Sequence, residues 1–104
     1  MPEDAPLFAS MATVNGPQED FDSIVAMAGE SLLPWIRQFE GYKAFIVLAD
    51  QENGTAHFMT LWESREALER SAHSRKQVRD QLAQTAGAEI AAAGAYTVVL
   101  TDGV

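Results

Sequence analysis

Residues 42–68 read YKAFIVLADQENGTAHFMTLWESREAL, and this stretch decides the fold. Two runs of β-forming residues flank QENG, whose Asn53–Gly54 pair suits positive φ angles. A hairpin is therefore predicted, with strands over 42–50 and 55–62. Ser64 follows as an N-cap with Glu66 in the first turn, and a helix is predicted from about Arg65 to Ala86. Its inward residues would be Leu68, Ala72, Val78 and Leu82, and the polar run HSRKQ (73–77) leaves room for a break.

Upstream, LFASMATV (7–14) reads as a strand. Gly16 and Pro17 mark a helix start, with Glu19, Asp20 and Asp22 in the opening turns. Phe21, Ile24, Ala28, Leu32, Trp35 and Phe39 then recur at steps of three or four, giving one apolar face. Pro34 interrupts this spacing without shifting it, so one helix kinked near Pro34 is predicted, ended by Gly41. Downstream, AGAEIAAAG (86–94) is predicted as a short helical turn and AYTVVLT (95–101) as the last strand.

The order βαββαβ, with one hairpin and two crossovers, is the α+β, ferredoxin-like arrangement: a four-stranded antiparallel sheet with two helices on one face. One domain over 7–104 is expected, preceded by a disordered acidic stretch, MPEDAP (1–6). Simple alternation puts Tyr42, Ala44, Ile46 and Leu48 on one face with Phe58, Thr60 and Trp62. It puts Phe45, Val47 and Ala49 on the other with Met59 and Leu61. Both faces are apolar, yet two helices cover only one, so a second copy is expected on the other, making a homodimer.

Composition narrows the function. The chain has 104 residues, no cysteine, 47% apolar residues and a formal charge of −8. That balance disfavours nucleic acid and anionic membrane as partners. No run approaches membrane-spanning length and the first residues do not resemble a signal peptide, so the cytoplasm is the expected location. Five of the seven basic residues, Arg65, Arg70, Arg75, Lys76 and Arg79, fall on the second helix. A solvated face with pairs such as Glu66–Arg70 and Lys76–Asp80 accounts for most of them.

The segments LPWIRQFEGYKAF (33–45), DQENGTA (50–56) and LWESREAL (61–68) resemble the antibiotic-biosynthesis monooxygenase group of the dimeric α/β-barrel superfamily. The resemblance runs from Leu32 to about Arg79. It implies a dimeric α/β barrel and a small oxygenase, independent of cofactors, that converts polycyclic phenols to quinones. The implied pocket set is an Asn and a Trp on the third strand, a His on the second, and a Tyr and an Arg on the second helix. Carried over, the Trp is Trp62 and the Arg is Arg79, with a short mid-helix deletion. The Asn, Tyr and His positions hold Phe58, Leu68 and Leu48, so three polar members are apolar here. Haem-degrading relatives carry an Asn on the first strand, which FASMA lacks, and their histidine has only His73 nearby, off register. Haem is not expected as the ligand.

Trp62 and Arg79 are the candidate catalytic residues, and Ile46, Leu48, Phe58, Thr60, Leu68 and His73 are the candidate pocket lining. Each has a plainer reading. Trp62 also suits a core position packing helix on sheet, and Arg79 a surface ion pair. His57 suits a cross-strand or interface contact, and His73 a solvated helix face. The two histidines, on separate elements without acidic neighbours at ligand spacing, argue against a metal site. No phosphate loop or nucleophile elbow is present. The function expected is binding of a small aromatic or apolar molecule, with no cofactor. The alternative is a non-catalytic binding or scaffold dimer whose pocket is filled by Ile46, Leu48, Phe58 and Leu68.

Overall fold

A computed structural model of the chain describes residues 7–16, 21–86 and 89–102. Strand β1 is Phe8–Asn15, β2 Tyr42–Asp50, β3 Thr55–Trp62 and β4 Glu89–Thr97. They form one antiparallel sheet in the order β2-β3-β1-β4. The two helices, at residues 21–36 and Arg65–Ala86, give the βαββαβ order and the ferredoxin-like fold. No helix among the described residues is long and apolar enough to cross a membrane. Residues 1–6 and the proposed helix start at Pro17 lie outside the described residues.

The first helix is one element with a defect. It begins as Phe21–Met27, widens into a π turn over Ala28–Leu32 and closes as Leu33–Ile36. The Leu33 amide reaches back five residues to the Ala28 carbonyl. Pro34 has no amide hydrogen to give the carbonyl four residues back, and the wider turn before it absorbs that missing bond. Of the predicted apolar face Ile24 and Ala28 are buried and Leu32, Trp35 and Phe39 half-buried, and Ile36, outside that prediction, is buried as well. The second helix runs unbroken through HSRKQ. Its cap is as predicted: the Ala67 amide donates to Ser64 Oγ at 3.1 Å. Of its predicted inward residues Leu68 is buried, Val78 half-buried and Ala72 exposed, Leu82 lies outside the described side chains, and Ala67, Ser71 and Ala83 are buried in addition.

Three further expectations are corrected. The β2–β3 turn is a single 3-10 turn, Gln51–Asn53, capped by Asp50; only Gly54 takes the left-handed conformation there, at φ 65°. AGAEIAAAG does not form a helical turn within its described part: Glu89–Thr97 is β4, paired along β1 from Asn15↔Glu89 to Phe8↔Thr97. Long-range pairing overrides the helical preference of alanine there. Val98 still donates to Leu7 at 2.9 Å, but Val99 and Leu100 project beyond the strand, largely exposed.

The third correction matters most for function. The β2–β3 register shifts between Tyr42, opposite Trp62, and Ala44, opposite Leu61. Lys43 is the extra residue of a bulge, and every later β2 side chain changes face. Phe45 and Val47 pair with Thr60 and Phe58 and face the helices. Ala44, Ile46 and Leu48 pair with Leu61, Met59 and His57 on the opposite face.

Gly41 joins the first helix to β2 at φ 90°, and its carbonyl accepts from the Glu63 amide at 2.8 Å. A Cβ there would fall into the Ala67 methyl. Gly41→Ala should therefore cost about 2–4 kcal/mol, from the disfavoured φ together with overpacking. Urea denaturation measures this, and a loss below 1 kcal/mol would show that the joint relaxes freely.

Candidate functional site

Between the sheet and the helices lies a cavity of about 100 Å³. The sheet supplies Ser10, Ala12 and Val14 from β1, Phe45 from β2, and Phe58 and Thr60 from β3. The first helix supplies Ile24, Met27, Leu32 and Trp35. The second supplies Arg75, Arg79 and Ala83. The cavity is thus an apolar cleft with two cations and two hydroxyls. Its lining includes no carboxylate and no histidine among the described residues.

The two arginines sit on successive turns of one helix face. Arg75 is held firmly: Nε donates to Ser71 Oγ and Nη2 to the Leu68 carbonyl, both at 2.8 Å. Its guanidinium lies over the Trp62 ring, 5.4 Å from the centroid. Burial, and secondarily the positive charge of Arg79, pushes its pKa down from the ordinary arginine value. Arg79 is held loosely. Its Nε is buried and makes no hydrogen bond among the described residues. Among the described residues it is ion-paired with Asp80, whose Oδ1 is 3.8 Å away, beyond hydrogen-bond range. Asp80 is engaged elsewhere: Lys76 donates to its Oδ2 at 2.7 Å, and this bond is the main cause holding its carboxyl below the ordinary range.

Trp62 lies beneath the cleft rather than in its wall. It is fully buried among Ile36, Ala67 and Leu68, edge-on to Phe39 at 6.2 Å. Its Nε1–H donates to Ser10 Oγ at 3.0 Å. That bond uses Ser10 as an acceptor and leaves the hydroxyl proton available to the cleft. Trp62 therefore touches the site through Ser10 and Arg75, each of which does line it.

The structure brings together Phe58, Thr60 and Arg79 of the residues picked from sequence. Leu68 is buried in the core beside Trp62, outside the lining. Ile46 and Leu48 are on the far face because of the Lys43 bulge, and they cannot line or fill the cleft. His73 is on the exposed side of the second helix. His57 makes a cross-strand contact, Nδ1 to Thr13 Oγ1 at 2.9 Å, also on the far face. Of the two surface pairs, Lys76–Asp80 forms, whereas Arg70 pairs with Glu40 at 3.3 Å. Arg75 and Ser10 were missed. Arg75 stands seven residues after Leu68 and four before Arg79, so helical spacing already placed it on their face.

No protein-family model matches the sequence, and no characterised protein matches it significantly. Solved structures do resemble it. A dimeric ferredoxin-like protein from an uncultured marine organism superposes with a TM-score of 0.72 at 13% identity, over 94% of this chain and 100% of that one. A monooxygenase of Streptomyces coelicolor, in complex with nanaomycin D, gives 0.65 at 19% identity, over 100% and 94%. SnoaB, a cofactor-independent oxygenase of Streptomyces nogalater, gives 0.61 at 15% identity, over 92% and 94%. At these identities the likeness is one of fold: the chain has the ferredoxin-like fold that antibiotic-biosynthesis monooxygenases also adopt.

Proposed function

We propose that this chain is a cytoplasmic homodimer that binds a flat, mostly apolar anion between sheet and helices, and that it oxygenates aromatic phenols without a cofactor. The observation that carries the reading is the buried Nε of Arg79, which makes no hydrogen bond among the described residues, in a mostly apolar cleft. A buried donor without a partner is costly, and an anionic oxygen of a ligand would satisfy it. The apolar walls would hold the rings.

The chemistry follows from what the cleft lacks. With no carboxylate or histidine in the described lining, the substrate must lose its proton to water, and the arginines favour that by stabilising the phenolate or enolate. An anthrone-type anion can pass one electron to O₂, and the radical and superoxide then recombine as a peroxide at the ring methylene carbon. Protonation and loss of water leave the carbonyl, so CH₂ and O₂ become C=O and H₂O. Arg79 stabilises the anion, and Phe45, Phe58 and Trp35 keep the ring flat.

The homodimer rests on the far face of the sheet. Ala44, Ile46, Met59 and Leu61 lie there, and Leu48 and Tyr96 are 50% and 56% exposed. Leu61 is buried, but most of that apolar face has no cover among the described residues.

Calorimetric titration with hydroxynaphthalenes and anthrones tests the reading, alongside oxygen uptake. The wild type should bind them and consume one O₂ per quinone formed. Arg79→Gln, with an unchanged melting temperature, should weaken binding roughly tenfold or more. No binding of any member would overturn the reading. Binding without oxygen uptake would favour a non-catalytic binding dimer, a reading supported by the apolar Phe58 and the absence of a base.

A further inference from the structure

We propose that the ligand carries a carboxylate as well as its flat ring system, and that this carboxylate bridges Arg75 and Arg79 at one end of the cleft. This rests on the cleft being the ligand site. It deepens that reading by naming a group that a simple phenol lacks.

The described lining carries two guanidinium groups and no acidic side chain, in a chain whose formal charge is −8. Acidic residues are plentiful elsewhere, so their absence here leaves two positive charges facing one apolar space. Asp80, whose Oδ1 lies 3.8 Å from Arg79 Nε, offsets part of that charge from outside the lining, while its Oδ2 takes the Lys76 ammonium. A single phenolate oxygen compensates one of the two cations. A carboxylate presents two oxygens with about four acceptor directions, and each oxygen can meet a separate guanidinium.

The donors left over are of the right kind. Arg75 spends Nε on Ser71 and one Nη2 hydrogen on Leu68, which fixes its plane and leaves Nη1 unengaged among the described residues. Arg79 contributes the buried Nε and makes no hydrogen bond from its other nitrogens to the described residues. One arginine is therefore locked and the other free to swing onto a ligand. Ser10 and Thr60 add hydroxyls on the sheet side, and the Ser10 oxygen is oriented by Trp62. The substrate class is thus an aryl carboxylate, with any phenol on the ring system itself.

The test compares 1-naphthol with 1-hydroxy-2-naphthoic acid by calorimetry at pH 7, using the wild type, Arg75→Gln, Arg75→Lys and Arg79→Gln. The hydroxynaphthoate should bind the wild type at least tenfold tighter than the naphthol. Each Gln variant should lose most of that preference, because the hydroxynaphthoate loses more affinity than the naphthol, which Arg79→Gln also weakens. Arg75→Lys keeps the charge and the fold but not the fork, and should keep only part of the preference. Equal affinity of the two ligands for the wild type overturns the carboxylate while leaving the cleft as a phenol site. A preference that survives in every variant also overturns it, since the arginines would not be its source. Failure of both ligands to bind overturns the cleft reading itself.

Discussion

Trp62→Ala should destabilise the protein by about 3–5 kcal/mol, the range for deleting a large, fully packed aromatic side chain. The residue has no exposure and is edge-on to Phe39, with Ile36, Ala67 and Leu68 around it. Two further losses accompany the cavity. Ser10 loses the indole donor, and Arg75 loses the ring beneath its guanidinium. The cleft should therefore loosen along with the core. Trp62→Phe keeps most of the volume and removes the hydrogen bond, and should cost about 1–2 kcal/mol. Denaturant unfolding separates the two. If alanine cost no more than phenylalanine, Trp62 would not be the centre of this packing.

The second large effect concerns the far face of the sheet. Ile46→Asp should weaken self-association by about 3 kcal/mol, roughly a hundredfold in Kd, with little effect on the fold of a protomer. Ile46 stands opposite Met59 there, and an uncompensated carboxylate would be buried between two copies. Val47→Asp should behave differently. Val47 stands opposite Phe58 and faces the helices, so the same charge there should destabilise the protomer. Sedimentation and thermal unfolding of the two variants read this contrast. If Val47→Asp dissociated the protein and Ile46→Asp unfolded it, the face assignment would be reversed.

That pair of positions shows where the sequence was legible. The hairpin, both helices and the Ser64 cap followed from local chemistry: β-forming runs, a turn with Gly54, a threefold-to-fourfold apolar rhythm and a hydroxyl before the helix. The Lys43 bulge did not, because one inserted residue inverts the alternation and nothing in YKAFIVL marks it. Simple alternation therefore puts Ile46 and Leu48 in the pocket, and Phe45 and Val47 outside it. β4 was obscured for another reason. Its alanines favour helix locally, and only pairing with β1, far away in sequence, makes them a strand.

The site was half legible. Phe58 and Thr60 share one strand parity and Arg79 comes from the family resemblance, and the three meet in the cleft. Arg75 was hidden by its company, since HSRKQ reads as a solvated run and Lys76, its neighbour, is exposed. Its inward position depends on Ser71 and the Leu68 carbonyl, which supply hydrogen bonds that let a guanidinium be partly buried. Trp62 was recognised as important on either reading. The structure makes it the support of two lining residues and places it outside the cleft lining.

The central claim is that a flat anion binds between sheet and helices, and methyl NMR tests it most directly. Met27 lines the cleft, whereas Met59 lies on the far face, opposite Ile46. With ¹³C-methyl methionine and saturating 1-hydroxy-2-naphthoic acid, the ring current should shift the Met27 methyl and leave Met59 in place. A shift at Met59 with none at Met27 would put the ligand on the opposite side of the sheet and contradict the account.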